Sequence, residues 1–440
     1  MRTAGLLSLL LWSLPAAARA DEPPLELTLE RAVTLGLERN LDVALAEHRL
    51  AFLEAQRRQA IGAALPTVTL TGLYNRNLEK PSFFLGGAVL KSGQDNSMRH
   101  AASLQQYLFT GGMVSQGMKA ARLGVEGGQA QVRTARADVV LAAKRLFYAV
   151  CLASETASIQ KESLSLAEDH LRTIQERYRQ GLDSDLVVLR QKVEVANAQP
   201  ALLAARNNEE LSLTLLKDSL GLDVDAPVRV AGGLDGAPPA LVSYDALQAA
   251  ALERSPDYQA ARKQYEQAEA ILAVRKGFRW PWLLAYADYQ WYSESNANWP
   301  GTKERATSSV VGLRLNYPIF TGGQGEAKIR QSASERDQAR TAMDKAARSL
   351  KVEVKREWLK IREAWERAQS QESAISQARR ALEATEVRYR AGQASLLEQN
   401  DATLALQQTR LLYANALFDY RTALTALERA VGAPVEEAAR

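Results

Sequence analysis

The sequence predicts a mainly α chain with membrane-type β segments, built from one half written twice: helix, strand, strand, long helix, tight turn, helix. Three observations predict it. Tyr107-Leu108-Phe109-Thr110-Gly111-Gly112 returns as Tyr317-Pro318-Ile319-Phe320-Thr321-Gly322-Gly323, and the step of 211 residues (321 − 110) also carries Tyr178 to Tyr389, Gly181 to Gly392 and Gly221 to Gly432. An alternating apolar segment precedes each copy, and a long proline-free helical run follows it. Upstream, Leu37-Glu38-Arg39-Asn40 matches Leu252-Glu253-Arg254-Ser255 and Pro66 matches Pro281 at a step of 215 (281 − 66). The four-residue difference falls between 76 and 106, where a surface loop absorbs a length change cheaply.

The chain opens with an address. Arg2 supplies a positive start, Leu6 to Leu14 an apolar stretch too short to span a bilayer, and Ala18-Arg19-Ala20 a small-x-small cleavage site before Asp21. A secretory signal peptide is therefore expected over 1–20, followed by a first repeat over 21–221, a connector over 222–243 rich in Pro and Gly, and a second repeat over 244–440. No lipid-acceptor cysteine stands at the cut.

Composition excludes several classes. The formal charge is +4, and no basic run is interleaved with aromatics, so nothing points to nucleic acid. Cys151 is alone and reads as a small core residue; His48, His100 and His170 lack ligand spacing, so no metal site and no cofactor are expected. Gly322-Gly323-Gln324-Gly325 with Lys328 lacks phosphate-loop spacing, and no nucleophile elbow appears, so no enzyme is expected.

The strands come in pairs. Val68, Leu70, Gly72 and Tyr74 alternate with Thr67, Thr69 and Thr71, predicting a strand over 67–75, and its return is expected over 102–108. In the second half Leu283, Ala285, Ala287, Tyr289 and Trp291 mark a strand over 282–292, with a return over 308–317. Trp280, Trp282, Trp291, Tyr292 and Trp299 crowd the ends of the second hairpin, as in a membrane-interface belt. No later run of eighteen apolar residues exists, so a membrane role requires these strands.

From Gly112 to Gln180 and from Gly323 to Arg390 no proline interrupts, which at ~1.5 Å per residue gives runs on the order of 100 Å. Val132, Ala135, Val139, Ala142, Leu146, Ala149 and Ala153 step by three and four, a coiled-coil spacing. Each run ends in a basic aromatic turn and a glycine, Arg177-Tyr178-Arg179-Gln180-Gly181 and Arg388-Tyr389-Arg390-Ala391-Gly392, a helix stop. Asp183, Ser184 and Asp185 offer a cap for the next helix, and Ser395 with Glu398 fits a capping box. Pro200, where the second copy has Leu411, predicts a kink or break.

Four strands cannot close a barrel, and an open edge in lipid leaves backbone groups unsatisfied at several kcal/mol each. Spanning strands would therefore have to be shared among several chains.

The paired Phe109-Thr110-Gly111-Gly112 and Phe320-Thr321-Gly322-Gly323 junctions, with Arg388-Tyr389-Arg390-Ala391-Gly392-Gln393-Ala394-Ser395-Leu396-Leu397-Glu398, resemble the TolC family of outer-membrane efflux proteins. The resemblance covers the mature chain. It implies a homotrimer with a shared twelve-stranded β-barrel in outer-membrane lipid of a Gram-negative bacterium and a periplasmic α-barrel. It also implies a periplasmic adaptor and an inner-membrane transporter as partners, in drug, metal or protein export. Tyr178, Gly181, Asp183, Asp185, Tyr389 and Gly392 would then form the periplasmic tip. Glu398 and Asp401, six and nine positions after Gly392, would ring the pore constriction; for Glu398 the capping box remains an equal explanation. Ala394 and Val187 stand where some members place an arginine and an acid, which implies a tip held by packing and charge. A soluble periplasmic coiled-coil scaffold without a pore is the alternative.

Overall fold

The computed structural model describes residues 25–80, 82–234, 243–296 and 305–437. The expected signal peptide, Trp299 and residues 235–242 of the expected connector lie outside them. In chain order the elements are β1 (Leu25–Leu27), α1 (Leu29–Arg39), α2 (Leu41–Gly62), β2 (Thr67–Arg76), β3 (Ser82–Leu85), β4 (Ala88–Lys91) and β5 (Asn96–Phe109). Then follow α3 (Met113–Arg179), α4 (Asp185–Ser219), β6 (Val228–Val230), α5 (Tyr244–Arg254), α6 (Pro256–Lys276), β7 (Trp282–Ser295), β8 (Arg305–Asn316), α7 (Gln324–Arg390) and α8 (Leu396–Val431).

Both long helices run 67 residues. The apolar seam expected for α3 is kept at Val132, Val139 and Ala153, which are buried, and between them it widens to Ala143, Phe147 and Val150, whereas Ala142 is exposed. One residue is about 100° of helix, and the larger side chain of Phe147 decides which face fills the core. The single helix expected before each hairpin is two. Asn40 and Ser255 adopt extended ψ of 131° and 122°, and Pro256 begins the second helix of its pair, where its missing N–H costs nothing. A break at Pro200 does not occur. It lies inside α4, with Leu202 and Ala205 buried nearby, so tertiary packing offsets the lost donor.

The described residues divide into two compact units. One comprises 25–40, 140–234 and 362–422. Leu27, Leu35, Phe147, Leu216, Leu220 and Leu417 form its core, roofed by a parallel pair in which Leu25 faces Val228 and Leu27 faces Val230. The stretch read as connector thus contains a strand, which its proline content had hidden.

The other comprises 41–139, 243–361 and 423–437 and holds an antiparallel sheet of order β2-β5-β7-β8. The expected strand over 102–108 begins at Asn96, because pairing with both β2 and β7 outweighs the polar character of Asn96, Ser97 and Arg99. β7 extends to Ser295 and β8 starts at Arg305, stopping before Tyr317-Pro318, where proline could not donate to a ladder. The loop between β2 and β5 holds the small β3–β4 hairpin, which the sequence reading missed. Its base is held by Lys80, which donates to the Asp95 carboxylate at 3.2 Å and to the Asn296 side-chain oxygen Oδ1 at 3.0 Å.

The register gives the sheet two unlike faces. Val68, Leu70, Tyr74, Leu104, Leu283, Tyr289, Val311, Leu313 and Leu315 share one, with His100 stacked on Trp291. Thr67, Thr69, Thr71, Gln105, Ser103, Asp288, Gln290 and Arg314 share the other. On the edge strands both faces are open, and the apolar one leaves Val68 74% and Val311 86% exposed. Water is a poor solvent for such a face.

Candidate functional site

The turns closing α3 and α7 are built alike. Gly181 and Gly392 take φ of +78° and +73°, which L side chains rarely adopt. The amides of Leu182 and Gln393 donate to the carbonyls of Arg177 and Arg388, at 2.9 and 2.8 Å, so both helices end in the same left-handed motif. The next helices start differently. Ser395 and Glu398 form the capping box: the Ser395 amide donates to the Glu398 carboxylate at 2.6 Å and the Glu398 amide to Ser395 Oγ at 3.2 Å. Hydrogen bonds from the Ser395 amide and then the Ser395 hydroxyl hold the exposed Glu398 carboxyl below its ordinary range. In the first turn Ser184 is the cap position, but its side chain caps nothing. Asp185 is exposed in the first turn of α4.

Asp183 does not cap α4 because two partners from elsewhere hold it. Arg177 Nε donates to its carboxylate at 2.9 Å, and the Tyr389 hydroxyl donates at 3.2 Å. Arg177 also donates to the Arg390 carbonyl at 3.1 Å and lies 5.2 Å from the Tyr389 ring centroid. One ion pair thus bridges both turns. Its carboxylate and guanidinium side chains are only 12% and 18% exposed. Tyr389 is buried among Ile174, Val188 and Leu396; burial first, and the Asp183 charge second, push its hydroxyl up to about 12. It therefore stays a neutral donor. Val187 stands where some members of the resembled family place an acid, and here Asp183 supplies the polar link. The legible signal was opposite charge at Arg177 and Asp183 across a tight turn.

Tyr178 is about half exposed, and Asp401 is exposed on α8 with no ion pair or hydrogen bond to its carboxylate among the described residues. Two turns before Tyr178, His170 is buried with Nε2 3.5 Å from the Glu386 carboxylate and without a hydrogen bond. Burial lowers its pKa, an effect that Glu386 partly offsets and Arg390 adds to. In the sequence alone it is one of three scattered histidines.

At the other end of the long helices, Gly111 and Gly112 have φ of +59° and +84°, and Gly322 and Gly323 have +63° and +78°. Two successive left-handed residues turn each returning strand into a helix, and Thr110 and Thr321 Oγ1 accept from the amides of Val114 and Gly325, both at 3.3 Å. The flanking Phe109 and Phe320 are 48% and 87% exposed, so the two junctions share a backbone but not a covering.

Among the described residues, no group of three or more His, Cys, Asp or Glu could hold a metal ion, and no helix is long and apolar enough to cross a membrane.

Residues 33–222 and 247–433 match the family model described as outer membrane efflux protein. The cobalt-zinc-cadmium resistance protein CzcC of Cupriavidus metallidurans is 24% identical over 408 residues, covering 92% of this chain and 90% of that protein. Among solved structures, the outer membrane protein VceC of Vibrio cholerae gives a TM-score of 0.81 at 17% identity, covering 92% of this chain and 96% of its own. The CmeC outer membrane channel of Campylobacter jejuni gives 0.80 at 16%, covering 92% and 85%. At those identities the likeness is one of fold.

Proposed function

The chain belongs to the outer membrane efflux protein family, and we propose that it is the outer-membrane exit duct of a tripartite efflux or type I secretion system. It would passively conduct cargo from an inner-membrane transporter, through a periplasmic adaptor, to the exterior. The family is one of transport channels, not enzymes.

The observation that carries the reading is the four-stranded sheet with one apolar face and two open edges. In lipid such a face is at home and such edges are not, because unpaired backbone groups there find no water. Three copies supply twelve strands and close the sheet; Thr67, Gln105, Asp288 and Arg314 then line a wet lumen, and the apolar face meets lipid. The repeats over 21–221 and 244–440 would each contribute one hairpin and one long helix pair, the helices forming the periplasmic α-barrel. A signal peptide over 1–20 would deliver the chain.

At the periplasmic tip the turns of Gly181 and Gly392 would meet the adaptor, and the Arg177–Asp183–Tyr389 cluster would hold the helix pairs together until docking separates them. Asp401, and with it Glu398, would give the constriction an acidic ring that favours cations. Glu398 is already engaged by its capping box, so Asp401 is the stronger candidate. Cargo choice would rest with the transporter.

Cell fractionation tests this reading. The protein should remain in the outer membrane as an SDS-resistant trimer and form pores in planar bilayers; release by osmotic shock as a soluble chain without conductance would sink it.

A further inference from the structure

The sheet of one chain ends in two edges, β2 and β8, whose partners must come from another copy if the barrel closes. The repeat specifies how they meet. Contacts inside the chain obey the same two steps as the sequence. Thr67 pairs with Gln105 in the first hairpin; adding 215 and 211 gives Trp282 and Asn316, which pair in the second. Gly221 closes on Arg39 and, at the same steps, Gly432 closes on Arg254.

The join between the halves occurs once within the chain. There β5 pairs with β7, Ala102 facing Tyr289 and Leu104 facing Ala287. Below it two glycines meet: a Cβ on Gly111 would stand 2.7 Å from the Gly277 carbonyl oxygen and 2.6 Å from Trp280 Cβ. A Cβ on Gly277 would stand 2.9 Å from the Gly111 carbonyl oxygen. The counterpart of this join lacks its second half. Gly322 corresponds to Gly111 and Gly62 to Gly277, yet a Cβ on either meets nothing within 4 Å. Leu65, at the position of Trp280, is 59% exposed, and Phe320 is 87% exposed.

We propose that β8 of each copy pairs with β2 of the next in the register that the repeat transfers from β5–β7. Leu313 then faces Tyr74 and Leu315 faces Gly72, while Gly322 closes on Gly62 and Leu65 of the neighbour. The inference rests on the multi-copy barrel of the preceding section and adds its register and its close contact. Side-chain parity agrees with it, since Leu313, Leu315 and Tyr74 all lie on the apolar face; a slip by one residue would set that face against the polar one. Gly62 supplies a second argument. It ends α2 without a positive φ and with open space around it, so nothing within one chain requires glycine there.

Paired cysteines test the register in full-length protein carrying Cys151→Ser. Directly opposed residues of antiparallel strands stand about 4.5–5.5 Å apart at Cα, within disulfide range. Leu313→Cys with Tyr74→Cys should give covalent dimers and trimers in isolated outer membranes, and Leu313→Cys with Gly72→Cys, two residues off register, about tenfold less. Gly62→Ala should leave the helical content unchanged but lose the SDS-resistant trimer. Cross-linking at the displaced pair, or at neither pair, in membranes where trimers and pores persist overturns the register and leaves the channel standing. An intact trimer in Gly62→Ala overturns the glycine contact. Absence of trimers and pores in the parent protein overturns both readings.

Discussion

Replacing Tyr389 with phenylalanine removes one hydrogen bond from the tip and keeps the packing of the ring against Ile174, Val188 and Leu396. The lost bond runs from a neutral hydroxyl to the Asp183 carboxylate at 3.2 Å. Bonds to charged groups contribute about 1.5–3 kcal/mol. This one is long and leaves Asp183 its Arg177 partner, so a cost of about 1 kcal/mol per chain is appropriate. That is about fivefold in the ratio of joined to separated helix pairs in each chain, and about a hundredfold if three chains open together. Asp183→Ala should act more strongly, because it also leaves the mostly buried Arg177 guanidinium without its ion-pair partner. Single-channel recording in planar bilayers reads the effect as a rise in open probability or conductance, with Asp183→Ala exceeding Tyr389→Phe. If both variants conduct like the parent while trimers form normally, the cluster does not hold the tip.

Asp401→Ala should raise conductance and weaken cation preference, measured as the reversal potential in a salt gradient; no change would remove Asp401 from the constriction. His170 introduces a pH dependence. Its folded pKa lies below the ordinary 6.5, so the neutral form stabilises the fold, and stability is lost as pH falls from 6.5 through the folded value. Acidification should loosen α3 from α7 around Glu386 and Arg390 and raise conductance on the periplasmic side; His170→Gln should flatten that profile, and an unaltered profile would exclude the histidine. Cys151 is buried, and burial pushes its thiol up to about 11. Maleimide at pH 8 should label it only after denaturation, and rapid labelling of native trimers would contradict the packing around Phe147 and Leu417.

Much of the architecture was legible because the chain says it twice. Hairpins, long helices, glycine stops and strand-to-helix junctions all stand in local pattern: period two for strands, steps of three and four for helices, and paired glycines where φ turns positive. Where the reading missed, long-range contact decided. Asn96 to Ala101 looks like loop until both neighbouring strands pair with it. Val228 to Val230 looks like connector until Leu25 to Leu27 lies beside it. The seam of α3 widened by one residue because Phe147, beside the partly buried Leu146, fills the core.

By itself, the sequence determined the duplication, the plan of one hairpin and one long helix per half, and the alternation that divides one sheet into an apolar and a polar face, because each is written in spacing along the chain. Tertiary structure alone decided which partner each polar group takes. Asp183 could have capped its own helix, and in the fold it joins Arg177 in its own turn and Tyr389, 206 positions away, in the other. His170 faces Glu386 for the same reason. Local patterns are fixed by neighbours a few residues away, but a buried charge is satisfied by whatever the packing of distant helices brings within 3 Å or so of it.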